Sequence, residues 1–314
     1  MTFFDDMPHD SPEQERLQPE SSVPAAAEPS PGEVSPSLLP GDPISYAAGN
    51  ASWHTPPSPP VREDLRISWS WPHFFVFIFY ALSSFFLVQT ALIVYFAPHR
   101  NLPPKELERY LLNKPQFLFG TNLLWYAAIF LFLYVTLGVL RGQPFWRSLG
   151  WRKFKSDLAI GKASAWAYFA AGCGLAIFVI VASSHVHPNE NMPIQEVLKN
   201  RTSAMLLMAM AVLVAPLVEE TVFRGYLYPL FAKSFGIVPG ILLTGVLFGL
   251  MHGAQLGWTW GIVGLLILVG IIFTFARAYT GTVLASFLLH LGYNSMIAVA
   301  TIIGTRGFTH IPTP

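Results

Sequence analysis

Charge and cysteine are both scarce in this sequence. Charged residues make up 12% of its 314 residues, whereas soluble domains contain roughly 25%. The single cysteine, Cys173, lies in an apolar stretch, so no disulfide can form within the chain. Cysteine usage therefore says nothing about the compartment. With 53% hydrophobic residues, the composition predicts a membrane protein.

Aspartate is nearly missing from the apolar part of the chain. Beyond residue 66 the sequence contains one aspartate, Asp157, in a loop, so an intramembrane pair of aspartates is excluded. The sequence also has no Gly-x-Ser-x-Gly motif and no His-Glu-x-x-His motif. The first absence argues against a serine nucleophile on a strand-to-helix elbow, and the second against the usual helical pair of zinc-binding histidines.

The charge that is present is unevenly distributed. Residues 1–66 carry eleven acidic residues and three arginines, and the remainder carries sixteen basic and seven acidic residues. The first 66 residues are also rich in proline and poor in aromatic residues, so we expect a disordered, acidic, cytoplasmic tail there. The basic charge of the remainder is scattered among short loops. This pattern suits anionic lipid headgroups and predicts no nucleic-acid partner.

Seven apolar segments follow the tail, each near the ~20 residues that a membrane-spanning helix needs. We place them near residues 70–96, 117–140, 160–184, 204–231, 237–256, 257–279 and 282–304. The predicted fold class is an all-α, polytopic transmembrane bundle over residues 67–314. Two further segments, 104–112 and 192–200, are expected to form short amphipathic surface helices.

The loop between the second and third spans indicates the orientation. Against Asp157 it carries Arg141, Arg147, Arg152, Lys153, Lys155 and Lys162. The positive-inside rule puts this loop and the N-terminus in the cytoplasm. The loop after the first span argues weakly against this, with Arg100, Lys105, Arg109 and Lys114. We expect an integral, multi-pass protein of the cell (plasma) membrane with a cytoplasmic N-terminus.

Two adjacent carboxylates and an arginine stand in the fourth apolar segment, where each charge costs ~2.5–3.5 kcal/mol on insertion scales. Glu220 and Arg224 are four residues apart, so on a helix they share a face and can pair. Glu219 points about 100° away and has no local cation. Pro216, just before them, is expected to kink the helix. Glu219 is thus the candidate for chemistry, unless all three charges form one structural ion-pair network.

Polar side chains recur in two later apolar segments. His252 lies in the fifth, and His290 and Asn294 share a helix face in the seventh. Both of the latter need hydrogen-bond partners in lipid. Counted from the segment edges, Glu219 and His290 lie near mid-depth, whereas His252 lies nearer the outer end. Ser286 is on the face of His290, but a serine bonded to its own helix is commoner than a serine nucleophile.

These residue types suit hydrolysis of an amide bond. A glutamate can take a proton from water while a nearby histidine orients that water or protonates the leaving amine. A second histidine and an asparagine amide can donate hydrogen bonds to a developing oxyanion. Intramembrane glutamate and histidine also form proton relays in transporters, although this sequence shows no internal repeat of the kind that many transporters have.

The order of these residues resembles a known family. Three motifs stand in separate apolar segments: Glu219-Glu220-x-x-x-Arg224, Phe248-x-x-x-His252 and His290-x-x-x-Asn294. They resemble the motifs of the type II CAAX prenyl endopeptidase superfamily, which includes CAAX proteases, bacteriocin-processing or immunity proteins and lysostaphin-resistance-protein-A-like proteins. The resemblance covers about residues 140–304. It implies that this region is the core of an all-helical intramembrane protease with an enclosed polar cavity.

The resemblance also implies roles for the residues. By motif position, water is activated by Glu219 and His252, the oxyanion hole is formed by His290 and Asn294, and support comes from Glu220 and Arg224. The family has also been described as metal-dependent. We favour a mechanism that requires no cofactor, because asparagine is a poor zinc ligand and a natural oxyanion donor. A divalent metal such as zinc, bound by Glu219, His252 and His290, stays the alternative.

The sequence therefore predicts an intramembrane endopeptidase that cleaves a membrane-associated or C-terminal CAAX-like peptide near the cytoplasmic leaflet. Its expected partners are the peptide or protein substrate and the lipid bilayer. One alternative is a non-catalytic membrane scaffold or bacteriocin-immunity protein. The other is a proton-coupled transporter.

Overall fold

The computed structural model of the protein describes residues 62–97, 102–154, 165–187 and 193–308. Residues 1–61 of the predicted tail lie outside the described residues. The helices are α1 (Trp71–Phe96), α2 (Pro104–Leu112), α3 (Pro115–Leu133), α4 (Phe145–Ser148), α5 (Ala165–Ser183), α6 (Pro193–Leu198), α7 (Arg201–Leu213), α8 (Ala215–Glu220), α9 (Tyr228–Phe235), α10 (Ile237–Met251), α11 (Trp260–Thr280) and α12 (Val283–Gly304). Prolines in the first turn begin several of them, where the missing N–H costs nothing.

The predicted all-α membrane fold is confirmed. Across the described ranges there are helices and turns but no strand. Six helical stretches are long and apolar enough to cross a membrane, and the shorter apolar helix α10 lies between the fourth and fifth of them. This agrees approximately with seven predicted spans. The two predicted surface helices are also present, as α2 and α6.

The fourth predicted span is one interrupted helix. It runs from Arg201 to Phe235, but α7 ends at Leu213 and α8 begins at Ala215. Pro216 lacks the N–H that would bond the carbonyl four residues earlier, which explains an interruption at this point. After α8 the helix widens into a π-helical turn over Thr221–Leu227 before α9 begins. Wide turns of this kind are rare and are often found at functional sites.

Helices α5 and α12 pack closely through glycines. A Cβ on Gly172 would collide with the carbonyl oxygen of Leu289, and a Cβ on Gly292 with that of Phe169. Small residues of this kind let membrane helices approach at backbone distance. The contact holds the polar face of α12 in a fixed position, because neither backbone can move without opening the interface.

The residues just before α1 pack on the helical domain, although the sequence analysis counts residues 62–66 with the tail. Arg277 of α11 is 1% exposed, and its Nη1 lies 2.9 Å from Oδ2 of Asp64. Arg62 donates from Nη2 to the carbonyl of Ala278 at 2.7 Å. A buried arginine needs a charged partner, and Asp64 supplies it. Asp64, which the composition assigns to the acidic tail, therefore anchors this segment to α11.

Candidate active site

The site forms at the level where two antiparallel helices pass each other. Gly236, at φ 96°, turns the chain between α9 and α10, a conformation that glycine adopts readily. Glu220 precedes it and His252 follows it by the same number of residues, so the two lie at similar depth. The ring centroids of Phe223 and Phe248 are 5.3 Å apart, which confirms this alignment.

His252 lies at that depth because α10 is short. The helix has 15 residues, a length of about 22 Å at a rise of 1.5 Å per residue. A hydrocarbon core is about 30 Å thick, so α10 alone is shorter than a full span. The sequence analysis places His252 near the outer end of its segment, and in the structure His252 directly follows the last residue of α10.

Glu220 and Arg224 form the ion pair that their spacing predicts. Arg224 Nη1 donates to Glu220 Oε1 at 2.8 Å, and both side chains are 0% exposed. Arg224 also donates from Nε to Thr274 at 3.2 Å and from Nη2 to the carbonyl of Gly270 at 2.9 Å. Its guanidinium carbon lies 4.5 Å from the ring centroid of Phe248, within cation–π range. The arginine thereby joins three helices around one carboxylate.

His290 lies between the two carboxylates. Its Nδ1 is 2.9 Å from Glu220 Oε1, and since a carboxylate bound to Arg224 accepts, Nδ1 carries the hydrogen and donates. Its Nε2 lies 3.8 Å from Glu219 Oε2, a separation at which a bridging water is to be considered. The side chain of Glu219 is 17% exposed, whereas that of Glu220 is fully buried. The two neighbouring carboxylates thus have different environments, and they face one imidazole ring.

His252 has one ring nitrogen occupied. Its Nδ1 lies 2.7 Å from the carbonyl oxygen of Phe248, which can only accept, so Nδ1 donates. In the neutral ring the other nitrogen, Nε2, then has a lone pair. The Phe248 ring lies 4.8 Å from the His252 ring and 5.7 Å from the His290 ring, centroid to centroid. Phe248 therefore separates the two histidines as an apolar wall shared by both.

Asn294 joins α12 to α7. Its Nδ2 donates to the carbonyl of Ala211 at 2.7 Å. A primary amide carries two hydrogens on that nitrogen, so one N–H is used in this contact and the other is left for a further acceptor. Ser286, two turns earlier on α12, donates to Val283 of its own helix at 3.0 Å, the contact expected for a serine that is not a nucleophile. Its side chain also interacts with the Glu220 carboxylate.

Tyr126 is a site residue that the sequence analysis missed. It lies on α3, outside the three motifs, and its phenol is within electrostatic range of the Glu219 carboxylate. It is half-buried. No spacing rule links α3 to α8. The available signal was that Tyr126 follows Asn122 by one helical turn, which gives α3 a polar stripe in an otherwise apolar segment.

The metal alternative finds no ready set of ligands. Among the described residues, no group of three or more histidine, cysteine, aspartate or glutamate side chains is arranged to hold a metal ion. Zinc needs three or four converging protein ligands. The side chains as arranged do not fit one, and no step below is routed through a metal.

Comparison with known proteins bears on the same part of the chain. The segment from α7 into α12 matches a protein-family model described as type II CAAX prenyl endopeptidase Rce1-like. The match covers residues 201–296. The matched segment is narrower than the region 140–304 of the sequence resemblance, and it contains all seven motif residues named above. Neither the curated proteins nor the solved structures gave a significant match to the chain.

Proposed function

We propose that the protein is an intramembrane endopeptidase that hydrolyses a peptide bond of a membrane-associated peptide, with C-terminal CAAX-like peptides as its substrate class. The observation that carries this proposal is the arrangement of Glu219 and Glu220 on either side of His290. One carboxylate is buried and orients the imidazole. The other is partly exposed and has no arginine bound to it. The Rce1-like match over residues 201–296 supports the same class of activity.

In the first step Glu219 acts as the general base. It takes a proton from a water molecule that His252 orients through the lone pair of Nε2. The water oxygen bonds to the scissile carbonyl carbon, and the carbonyl π electrons move to oxygen. A general base positioned in this way contributes typically ~10²–10⁴-fold to the rate.

The tetrahedral oxyanion is then stabilised from α12. Asn294 offers the N–H that Ala211 does not use, and His290 offers Nε2–H. This second role requires the imidazolium form of His290, because Nδ1 donates to Glu220 at the same time. The oxyanion collapses, the C–N bond breaks, and the amine leaves with the proton that Glu219 took from water. Hydrogen-bond donors aimed at such an oxyanion are worth ~10²–10³-fold each.

Glu220 and Arg224 have a positioning role in this scheme. Arg224 keeps Glu220 ionised inside the bundle, and Glu220 fixes the ring of His290 through Nδ1. The buried carboxylate thus holds a histidine in one orientation and stabilises its imidazolium form, as in other hydrolases. Neither residue needs to contact the peptide.

The proposal includes an orientation and a location. The basic loop 141–162 favours a cytoplasmic N-terminus by the positive-inside rule. With six spanning helices and the shorter α10, we assign the protein to the plasma membrane as a multi-pass protein. Its partners are then the bilayer and a peptide held at the membrane.

A conservative substitution tests the function. Glu219→Gln keeps the shape of the side chain but cannot accept a proton, so cleavage of a quenched fluorescent CAAX peptide in proteoliposomes should fall by ~10²-fold or more. The matched control is Glu108→Gln, an exposed acid on α2, which should cleave as the wild type does. Farnesylated and unmodified forms of the peptide are compared. Retained cleavage by Glu219→Gln would refute the role of Glu219 as general base, whereas no cleavage by the wild type would favour the non-catalytic scaffold.

A further inference from the structure

A cavity of about 180 Å³ lies between α3, α6, α7 and the short 3₁₀ turn Ala254–Leu256. Its walls are mostly apolar and include Leu118, Phe119, Val197 and Leu206. None of the motif residues lines it, so the proposed chemistry does not account for it. A cavity of this size is smaller than the roughly 300–1,000 Å³ of pockets for drug-sized ligands. It has room for one side chain, but not for a long lipid chain.

One polar group in this cavity lacks a partner. Ser203 lines the cavity and is 2% exposed, and its hydroxyl has no hydrogen-bond partner among the described residues. Leaving a buried hydroxyl unpaired is unfavourable, and buried polar groups in proteins are nearly always paired. The backbone of a peptide, with one donor and one acceptor per residue, provides the group that this hydroxyl lacks.

The cavity leads to the site along α3. Asn122 lines it, and Tyr126 follows Asn122 by one turn on the same face of the helix. Tyr126 is within electrostatic range of Glu219. A chain lying along this stripe would therefore run from the cavity towards the proposed general base.

The cavity also adjoins the site along α7 and the turn after α10. Met210 lines it and is followed directly by Ala211, the residue that accepts from Asn294. Gln255 lines it as well and comes one turn after His252. Three separate elements thus connect the cavity with the proposed site.

The opposite end of the site is closed. From Phe223 to Ala232 every residue is buried, and the Arg224–Glu220 pair fills the space beneath His290. A peptide cannot reach Glu219 from that end without unfolding the core. Access from the end of the bundle that holds the cavity is consistent with the 17% exposure of Glu219.

We propose that this cavity is a substrate subsite, which binds one apolar side chain of the peptide and pairs the peptide backbone with the Ser203 hydroxyl. The inference rests on the proposed endopeptidase function and adds a specificity-determining residue, Ser203. It commits to a peptide as the occupant. An acyl chain or a second copy of the protein is an alternative that the test below can reveal.

The test fills the cavity and varies the peptide. Ser203→Trp should raise KM at least tenfold for fluorescent CAAX peptides with a bulky apolar residue near the cleaved bond. Peptides with alanine there should be affected much less. The matched control is Met205→Trp, at a residue that is 54% exposed on the same helix, which should behave as the wild type does. An equal loss for all peptides would indicate a structural role for Ser203 and overturn the proposal.

A second measurement does not depend on cleavage. Cys173 is the single cysteine, so Cys173→Ser combined with Gln255→Cys gives one thiol at the cavity. A non-hydrolysable CAAX peptide should slow maleimide labelling at this thiol, and it should not do so in the Ser203→Trp background. Protection by a fatty acid but not by the peptide would overturn the proposal. Protection without any cleavage by the wild type would refute the endopeptidase function and leave a peptide-binding site.

Discussion

Removing Arg224 should lower both the free energy of unfolding and the activity, and a second substitution should restore only the first. The Arg224→Met variant loses three hydrogen bonds, to Glu220, Thr274 and Gly270. It leaves the fully buried Glu220 carboxylate with His290 and Ser286 as its partners. Breaking a buried ion pair by removing one partner costs ~3–5 kcal/mol. Because His290 still faces the carboxylate, we expect a loss near the lower end, about 3 kcal/mol.

The double variant Glu220→Gln/Arg224→Met separates the two effects. Replacing both partners removes the uncompensated charge, so most of the lost free energy of unfolding should return. Activity should not return, because a neutral amide is a weaker partner for His290 Nδ1 than a carboxylate is. Unfolding by urea in detergent, followed by tryptophan fluorescence, measures the first quantity, and cleavage of the CAAX peptide measures the second.

Lys233→Met is the control for loss of a cation, since Lys233 is exposed at the end of the same interrupted helix. We expect its free energy of unfolding to differ from the wild type by less than about 0.5 kcal/mol. Two results would refute the reasoning. One is an Arg224→Met variant as stable as Lys233→Met, and the other is a double variant with wild-type activity.

Three further predictions concern packing, metal content and sidedness. Gly172→Ala should abolish cleavage, because the added Cβ pushes α12, and with it His290, away from α5. Gly174→Ala, where a Cβ meets nothing within 4 Å, should cleave as the wild type does. Cleavage of the CAAX peptide by both variants checks this. Purified active protein should contain no stoichiometric zinc by elemental analysis and should keep its activity in chelator, and a stoichiometric metal lost together with activity would contradict the metal-free proposal. In a Cys173→Ser background, a membrane-impermeant maleimide should label Gln255→Cys in intact cells but Lys153→Cys only after permeabilisation. The reverse pattern would invert the proposed orientation. The predicted pattern would put the cavity on the outer side and so contradict the expectation of cleavage near the cytoplasmic leaflet.

Local spacing was enough to predict some of this site. Apolar runs of the right length give the spans, and a four-residue separation gives the Glu220–Arg224 pair. The same spacing distinguishes Glu219 from its neighbour, and the structure keeps that difference, with one carboxylate buried and the other partly exposed.

Contacts between distant segments could not be predicted in this way. Nothing in the spacing links Glu220 to His290, 70 residues away, or Asp64 to Arg277, 213 residues away. Both contacts depend on which helices become neighbours. The depth of His252 depends on where α10 stops, which is at Met251, five residues before the end of the predicted segment 237–256. Tyr126 was missed for the same reason, because its helix joins the site only in the folded bundle.

The π-helical turn over Thr221–Leu227 works as a one-residue phase shift within a single helix. Its hydrogen bonds run from residue i to i+5, so it takes up one residue more than an α-helical turn. Just before it, Glu220 faces His290 of α12. Near its end, Tyr226 stacks on Trp69, just before α1. One continuous helix can thus contact α12 with one face and the residues before α1 with another, although regular α-helical spacing would not align both faces. Deleting a single residue here would restore regular geometry and rotate every later side chain by about 100°. An ungapped comparison with a chain that lacks the wide turn would therefore align either Glu219 and Glu220 or the aromatic core, but never both.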